Sequence, residues 1–218
     1  MFHAARTGDI KALKGVMDDM QGSAPTIDEP IINLAGSKVA LGPRCRDLLP
    51  FYLKWMNDFE VTHPYGTRFR TRTLEGVEAG YDQASKGGTD YADFTIYERS
   101  TLRPIGNTAL EDIDHFDRTA KLVLLIGEKD CWGKGYGTET SVLMLDYGFT
   151  GLGLHNIMLT VFSFNERAKR AYLSAGFRVI GRRREAPRLA GQAYDVIYMD
   201  CLASEFQSPV LHHLVAPR

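Results

Sequence analysis

At 218 residues and 24.4 kDa, the chain has room for one large domain with its own core and a short appendage. With 44% apolar and 24% charged residues and a net charge of -1, it has the composition of a soluble globular protein and lacks the basic excess of a nucleic-acid binder. No run approaches the about 18 apolar residues of a membrane span, and the three cysteines (Cys45, Cys131, Cys201) show no metal-ligand spacing. The expectation is a reduced, cytoplasmic protein without a metal, a nucleic-acid partner or a membrane partner.

In chain order, Ile10, Leu13, Met17 and Met20 recur at helical steps, predicting a helix over residues 1–22. A Gly/Ser/Pro/acid linker follows to residue 30, so 1–30 is expected to be an appendage, 31–206 the domain and 207–218 a loose tail without periodicity. Strands are expected at Ile31–Leu34 and Lys38–Leu41 across Gly36-Ser37, then a helix at Asp47–Asn57 with Asp47 as its N-cap. His63 to Gly66 is read as loop and Thr73 to Ser85 as an amphipathic helix. Two strands follow, near 93–98 and 105–113.

The stretch Lys121–Asp146, KLVLLIGEKDCWGKGYGTETSVLMLD, organises the rest. Leu122–Ile126 is a short apolar run that suits a strand buried on both faces. The chain then turns through Gly133, Lys134, Gly135, Tyr136 and Gly137 into a helix carrying Val142, Leu143, Leu145 and Phe149. Strand, glycine turn and helix N-terminus bring backbone N–H groups together where an anion can sit. The spacing G-x-G-x-G is neither the dinucleotide fingerprint nor the nucleotide-triphosphate P-loop, so both of those readings lose ground. Downstream, 156–162 reads as a strand, Glu166–Ser174 as a helix stopped by Gly176, and 177–181 and 194–202 as the last strands. The outline is α/β: a mixed sheet with helices on its faces.

Two separated words, W-G-K-G-Y-G-T-E at Trp132 and N-E-R-A-K-R-A-Y-L-S-A-G-F at Asn165, resemble the acetyl-CoA-binding motifs of GNAT N-acetyltransferases. The subgroup resembled holds the ribosomal-protein-alanine and spermidine N-acetyltransferases. W-x-N-D-x-E-V near Trp55 and L-H-N-I-M-L-T-V at Leu154 are similar to it as well. The resemblance implies the GNAT fold over 31–206, acetyl-CoA as co-substrate and, by analogy, a homodimer.

It further implies that Trp132, Gly133, Lys134, Gly135, Tyr136, Gly137 and Thr138 form the pyrophosphate loop. Trp132 stands where family members often carry Gln or Arg, which removes a polar contact and leaves the backbone nest. The backbone of Leu125, Ile126 and Gly127 would bond the pantetheine arm as a neighbouring strand would, and one N–H there would face the thioester oxygen. Asn165 would touch the cofactor arm, N-cap the following helix, or do both. Tyr172 would protonate the departing CoA thiolate, a phenol of pKa about 10 being protonated at neutral pH; the plainer alternative is a core tyrosine.

Direct transfer to an amine needs a group to take its proton, and the acceptor-side candidates are Glu60, Glu111, Asp112 and Asp114. Cys131 has no matched histidine and reads as filler, not as a nucleophile. The expected activity is transfer of an acetyl group to a primary amine of a small molecule: a polyamine, an amino sugar or an amine-bearing antibiotic. A protein N-terminal acetyltransferase and a non-catalytic acyl-CoA sensor stay open beside it.

Overall fold

The computed structural model describes residues 29–65 and 70–215. The chain divides into two units, 1–30 and 31–218; the helix and linker expected within 1–30 lie almost wholly outside the described residues, as does Gly66.

The second unit is built on one eight-stranded sheet. In chain order its strands are β1 (Leu34–Ala35), β2 (Val39–Gly42), β3 (Ala92–Glu98), β4 (Pro104–Asp114), β5 (Thr119–Ile126), β6 (Asn156–Phe162), β7 (Arg178–Arg183) and β10 (Val196–Leu202). They lie in the order β1-β2-β3-β4-β5-β6-β10-β7. All neighbours are antiparallel except β5 and β6. A separate hairpin, β8 (Arg188–Leu189) with β9 (Gln192–Ala193), was not anticipated from sequence.

Helices cover both faces. One face carries α1 (Leu49–Asn57) and the short α2 (Phe59–Thr62), with α3 (Leu74–Ser85) packed against α1. Here Leu48, Leu49, Tyr52 and Trp55 bury against Ala40, Tyr97 and Leu125. The other face carries α4 (Tyr136–Asp146), extended by a π turn over Tyr147–Gly151, and α5 (Glu166–Ala175). Leu143, Met144 and Leu145 of α4 meet Leu110, Leu122, Ile157 and Leu159 of the sheet. This burial is the main stabilising term of the unit.

Asp47 caps nothing: it lies inside a 3-10 turn, Arg46–Leu48, and α1 begins at Leu49 without a side-chain cap. Pro50 sets that start, since its fixed φ suits a first helical turn. The capping oxygens belong to Asp58, Thr73 and Asn165, which accept first-turn N–H groups of α2, α3 and α5. The tail is also not loose through residue 215. The buried Asp146 carboxylate accepts the N–H groups of Val210 and Leu211, both at 2.9 Å, and holds the segment leading to α6 (His212–Val215).

Two links fix the organising stretch to its surroundings. Glu139, in the first turn of α4, accepts from Ser37 N–H (2.9 Å), Ser37 Oγ (2.6 Å), Lys38 N–H (2.6 Å) and Val39 N–H (2.7 Å), pinning α4 to the β1–β2 turn. Burial works against its charge, but these donors hold its carboxyl below the usual range. On the other face, Trp55 is 1% exposed and donates its indole N–H to Glu128 at 2.7 Å. Gly127 lies flat on that indole, so a Cβ there would come within 2.2 Å of the ring. Gly127→Ala is therefore expected to lower unfolding free energy by about 1–3 kcal/mol. The same change at Gly80, on exposed α3 with open space around it, should raise it by about 0.5–1 kcal/mol. Chemical denaturation of both variants checks the contrast.

Candidate active site

β5 and β6 run parallel over three rungs only, Thr119–Asn156, Ala120–Ile157 and Lys121–Met158. Beyond Lys121 they part: β5 continues against β4 to Ile126, and β6 continues against β10 to Phe162. A cleft of about 680 Å³ opens in the fork, lined by Leu122–Ile126 on one side and Thr160–Phe162 on the other. The apolar run of β5 is thus not buried on both faces. Leu122 and Leu125 are buried, while Val123, Leu124 and Ile126 are half-exposed toward the cleft.

Strand alternation decides which peptide groups face it. Gly127 N–H donates to Ile105 O at 2.8 Å, and Val123 O accepts from the Thr108 hydroxyl at 2.8 Å. Residues 123, 125 and 127 therefore address β4 with their backbone, whereas Leu122, Leu124 and Ile126 address the fork. Of the three residues expected to bond a cofactor arm, only Ile126 has this aim, and its carbonyl already accepts the Trp132 indole N–H at 2.9 Å. Leu124 is the residue the motif did not indicate.

At the open end of the fork lies the N-terminus of α4. Gly133 (φ +76°) and Gly135 (φ +87°) take left-handed backbone, and the N-cap Gly135 offers no side-chain bond. The first-turn N–H groups of α4 therefore lack the side-chain oxygen that caps α2, α3 and α5. Gly133, Gly135, Tyr136, Gly137 and Thr138 all line the cleft. Lys134 is not among the residues lining the cleft; its carbonyl accepts from Lys38 Nζ at 3.1 Å. Trp132 packs against the α1-side core, and the Arg167 guanidinium lies 3.8 Å above its ring. Arg167 thus stands against the loop at the position where the sequence showed an apolar substitution, and Arg170 lines the same cleft.

Asn165 uses its Oδ1 to cap Ala168 N–H at 3.1 Å, and its Nδ2 reaches Pro64 O at 3.5 Å; it also lines the cleft. Tyr172, one turn of α5 beyond Ala168, is 9% exposed, packs edge-on against Phe177 and borders the cleft. Burial pushes its phenol up to about 12. Tyr65, in the turn after α2, stands within electrostatic reach of both Glu111 and Tyr172 and is pushed up by burial first and by Glu111 next.

The four carboxylates fall in different places. Glu111 lines the cleft, half-buried, and burial raises its pKa while Lys121 opposes the rise. Glu60 is ion-paired with Lys129 at 2.8 Å beside a neighbouring depression. A bulge in β4 turns Asp112 outward at φ +51°. Asp114 accepts from Phe116 and Asp117 N–H, both at 2.8 Å, and so serves a turn. Cys131 is buried, and burial raises its thiol pKa, which disfavours a thiolate. Sequence reasoning passed over Lys121, Arg167 and Arg170. The signal for the arginines was present in the second word, where Arg167 and Arg170 stand three residues apart and so share one helical face.

Among the described residues, no three or more His, Cys, Asp or Glu side chains cluster as metal ligands would, and no helix is long and apolar enough to cross a membrane.

Comparison with known proteins agrees with this geometry. The acetyltransferase (GNAT) domain model matches residues 41–178. A spermidine N(1)-acetyltransferase of Escherichia coli is 35% identical over 119 residues, which is 51% of this chain and 63% of that protein. An uncharacterised N-acetyltransferase of Bacillus subtilis is 27% identical over 155 residues, 69% of this chain and 84% of its own length. Among solved structures, the Vibrio cholerae spermidine N-acetyltransferase in complex with CoA and spermine superposes with a TM-score of 0.71 at 25% identity, covering 78% of this chain and 98% of that one. The fork, the glycine turn at the head of α4 and the match over residues 41–178 converge: the chain belongs to the GNAT acetyltransferase family.

Proposed function

We propose that the protein is an N-acetyltransferase that moves an acetyl group from acetyl-CoA to a primary amine of a small molecule by direct attack. The observation that carries this is the fork itself, which joins an uncapped helix N-terminus at its open end to Tyr172 and Glu111 near its closed end. The five residues Leu122–Ile126 span about 16 Å at strand rise, the order of an extended pantetheine arm. The CoA complex of the Vibrio relative supports the same co-substrate.

In this reading the pyrophosphate sits against the N–H groups from Gly133 to Thr138, with Arg167 and Arg170 supplying the charge that Trp132 lacks. Leu124 and Ile126 bond the pantetheine arm through their backbone, as an added strand would be held. Asn165 keeps the head of α5 in register with Pro64. Glu111 takes a proton from the bound ammonium, and the freed amine attacks the thioester carbonyl. A C–N bond forms, the C–S bond breaks, and the departing thiolate takes the Tyr172 proton. The second proton of the acylated nitrogen passes through solvent to the Tyr172 phenolate while Glu111 releases its own to water, leaving the neutral amide and CoA thiol. An N–H of β5 stabilises the oxyanion between those steps. A small acceptor is preferred to a peptide terminus because Val61, Pro64 and Tyr65 line the same cleft as Glu111, with Tyr65 within its electrostatic reach. A cytoplasmic setting, consistent with three free cysteines, and a homodimer complete the proposal.

Thiol detection of CoA release, with amines presented one at a time, tests the activity. Tyr172→Phe should lower kcat by about 100-fold with acetyl-CoA affinity nearly unchanged; equal losses in both would remove the acid role. Gly135→Val should weaken acetyl-CoA binding at least about tenfold, because valine resists φ > 0 and its side chain fills the turn; unchanged affinity in a folded variant would sink the loop assignment. Since burial raises Glu111, kcat/KM should fall as pH drops through a value above the ordinary glutamate pKa of about 4.3. Glu111→Gln should abolish that limb, and a limb that survives would assign it to another group.

A further inference from the structure

Glu111 and Lys121 are register partners on β4 and β5, and both line the cleft at the last shared rung of the fork. Their charged ends lie 3.9 Å apart, with side chains 36% and 39% exposed. That spacing is looser than the about 2.8 Å of a closed ion pair, so each keeps hydrogen-bonding capacity for a ligand. The neighbouring acids are committed elsewhere. Asp93 is held by Arg44 at 3.1 Å, and Asp58 and Glu60 by Lys129 at 2.9 and 2.8 Å. Among the described residues, Glu111 is the one carboxylate lining this cleft.

A polyamine brings several ammonium groups and needs a carboxylate for each one it desolvates. Here the group next to the first carboxylate is a lysine, which repels a second ammonium. A cation and an anion side by side instead complement an anion and a cation side by side. Resting on the acetyl-transfer reading, we propose that the acceptor subsite selects a zwitterion: a small primary amine with a carboxylate a carbon or two away, its ammonium on Glu111 and its carboxylate on Lys121. Lys121 is then a specificity-determining residue, and the acceptor class differs from the spermidine named for the Escherichia coli relative.

The test measures CoA release by the full chain with glycine, β-alanine and glutamate, with methylamine and ethylamine as counterparts lacking the carboxylate, and with spermidine. At least one carboxylate-bearing amine should exceed its counterpart and spermidine in kcat/KM by about tenfold or more. Lys121→Met should erase that ratio, and Lys121→Glu should reverse it in favour of spermidine, with acetyl-CoA affinity unchanged in both. A lysine serving only the fold would shift stability and leave the ratio where it was. Preference of the parent protein for spermidine, a ratio untouched in Lys121→Met, or silence with every amine while acetyl-CoA binds would each overturn the zwitterion assignment. Failure of the parent protein to bind acetyl-CoA would overturn the acetyl-transfer reading beneath it.

Discussion

Two adjacent parallel strands that stop pairing after three rungs are the constraint on which everything else depends. A strand edge inside a sheet cannot simply be left dry, because each peptide N–H or C=O without a partner costs about as much as a lost hydrogen bond. The protein holds this edge open by committing both strands elsewhere. β5 is locked to β4 from Lys121 to Ile126 and again at Thr119 beyond the bulge, and β6 to β10 over seven rungs. Packing on the two faces then fixes the angle of the fork. Trp55 presses on Gly127 from one face, and α4 and α5 pack together on the other. The result is a preformed slot whose polar backbone is turned inward, which suits an extended ligand with amide groups of its own.

Rigidity at the head of α4 serves the same end. A helix headed by glycine that points uncapped N–H groups into a cleft has given up roughly a few tenths of a kcal/mol of capping stability. Glu139 offsets this one turn further on, where a single carboxylate gathers four donors from the β1–β2 turn. The two glycines with positive φ put the backbone where a side chain would otherwise stand. Arg167 stacked on Trp132 adds a fixed cation at the same end without filling the slot. The electrostatic character therefore changes along the cleft, from cationic at the open end to a balanced Glu111–Lys121 pair at the closed end.

Much of this was legible in the chain. The strand, glycine turn and helix from Lys121 to Asp146 have strong local signals, as do the Asn165 cap and the αL stop at Gly176, because all rest on short-range backbone chemistry. What escaped depends on register and on packing between distant segments. An apolar run such as Leu122–Ile126 looks the same whether both faces are buried or one borders a cleft. Which of Leu124, Leu125 and Ile126 aims its peptide into the fork is set by β4, some twenty residues earlier in sequence. Likewise the bulge near Glu111 separates it from Asp112 and Asp114, three acids that composition cannot rank. Asp47 looked like a cap because Pro50 was not weighed against it, and the tail looked loose because its anchor, Asp146, is over sixty residues away.

The most direct test of the central claim is amide hydrogen exchange, residue by residue, with and without acetyl-CoA. If the fork is the cofactor slot, exchange should slow at Leu124 and Ile126 and from Gly135 to Thr138, while amides of β5 that face β4 change little. Protection elsewhere with these amides unchanged would contradict the account, since the open edge of β5 would then not be where the ligand binds.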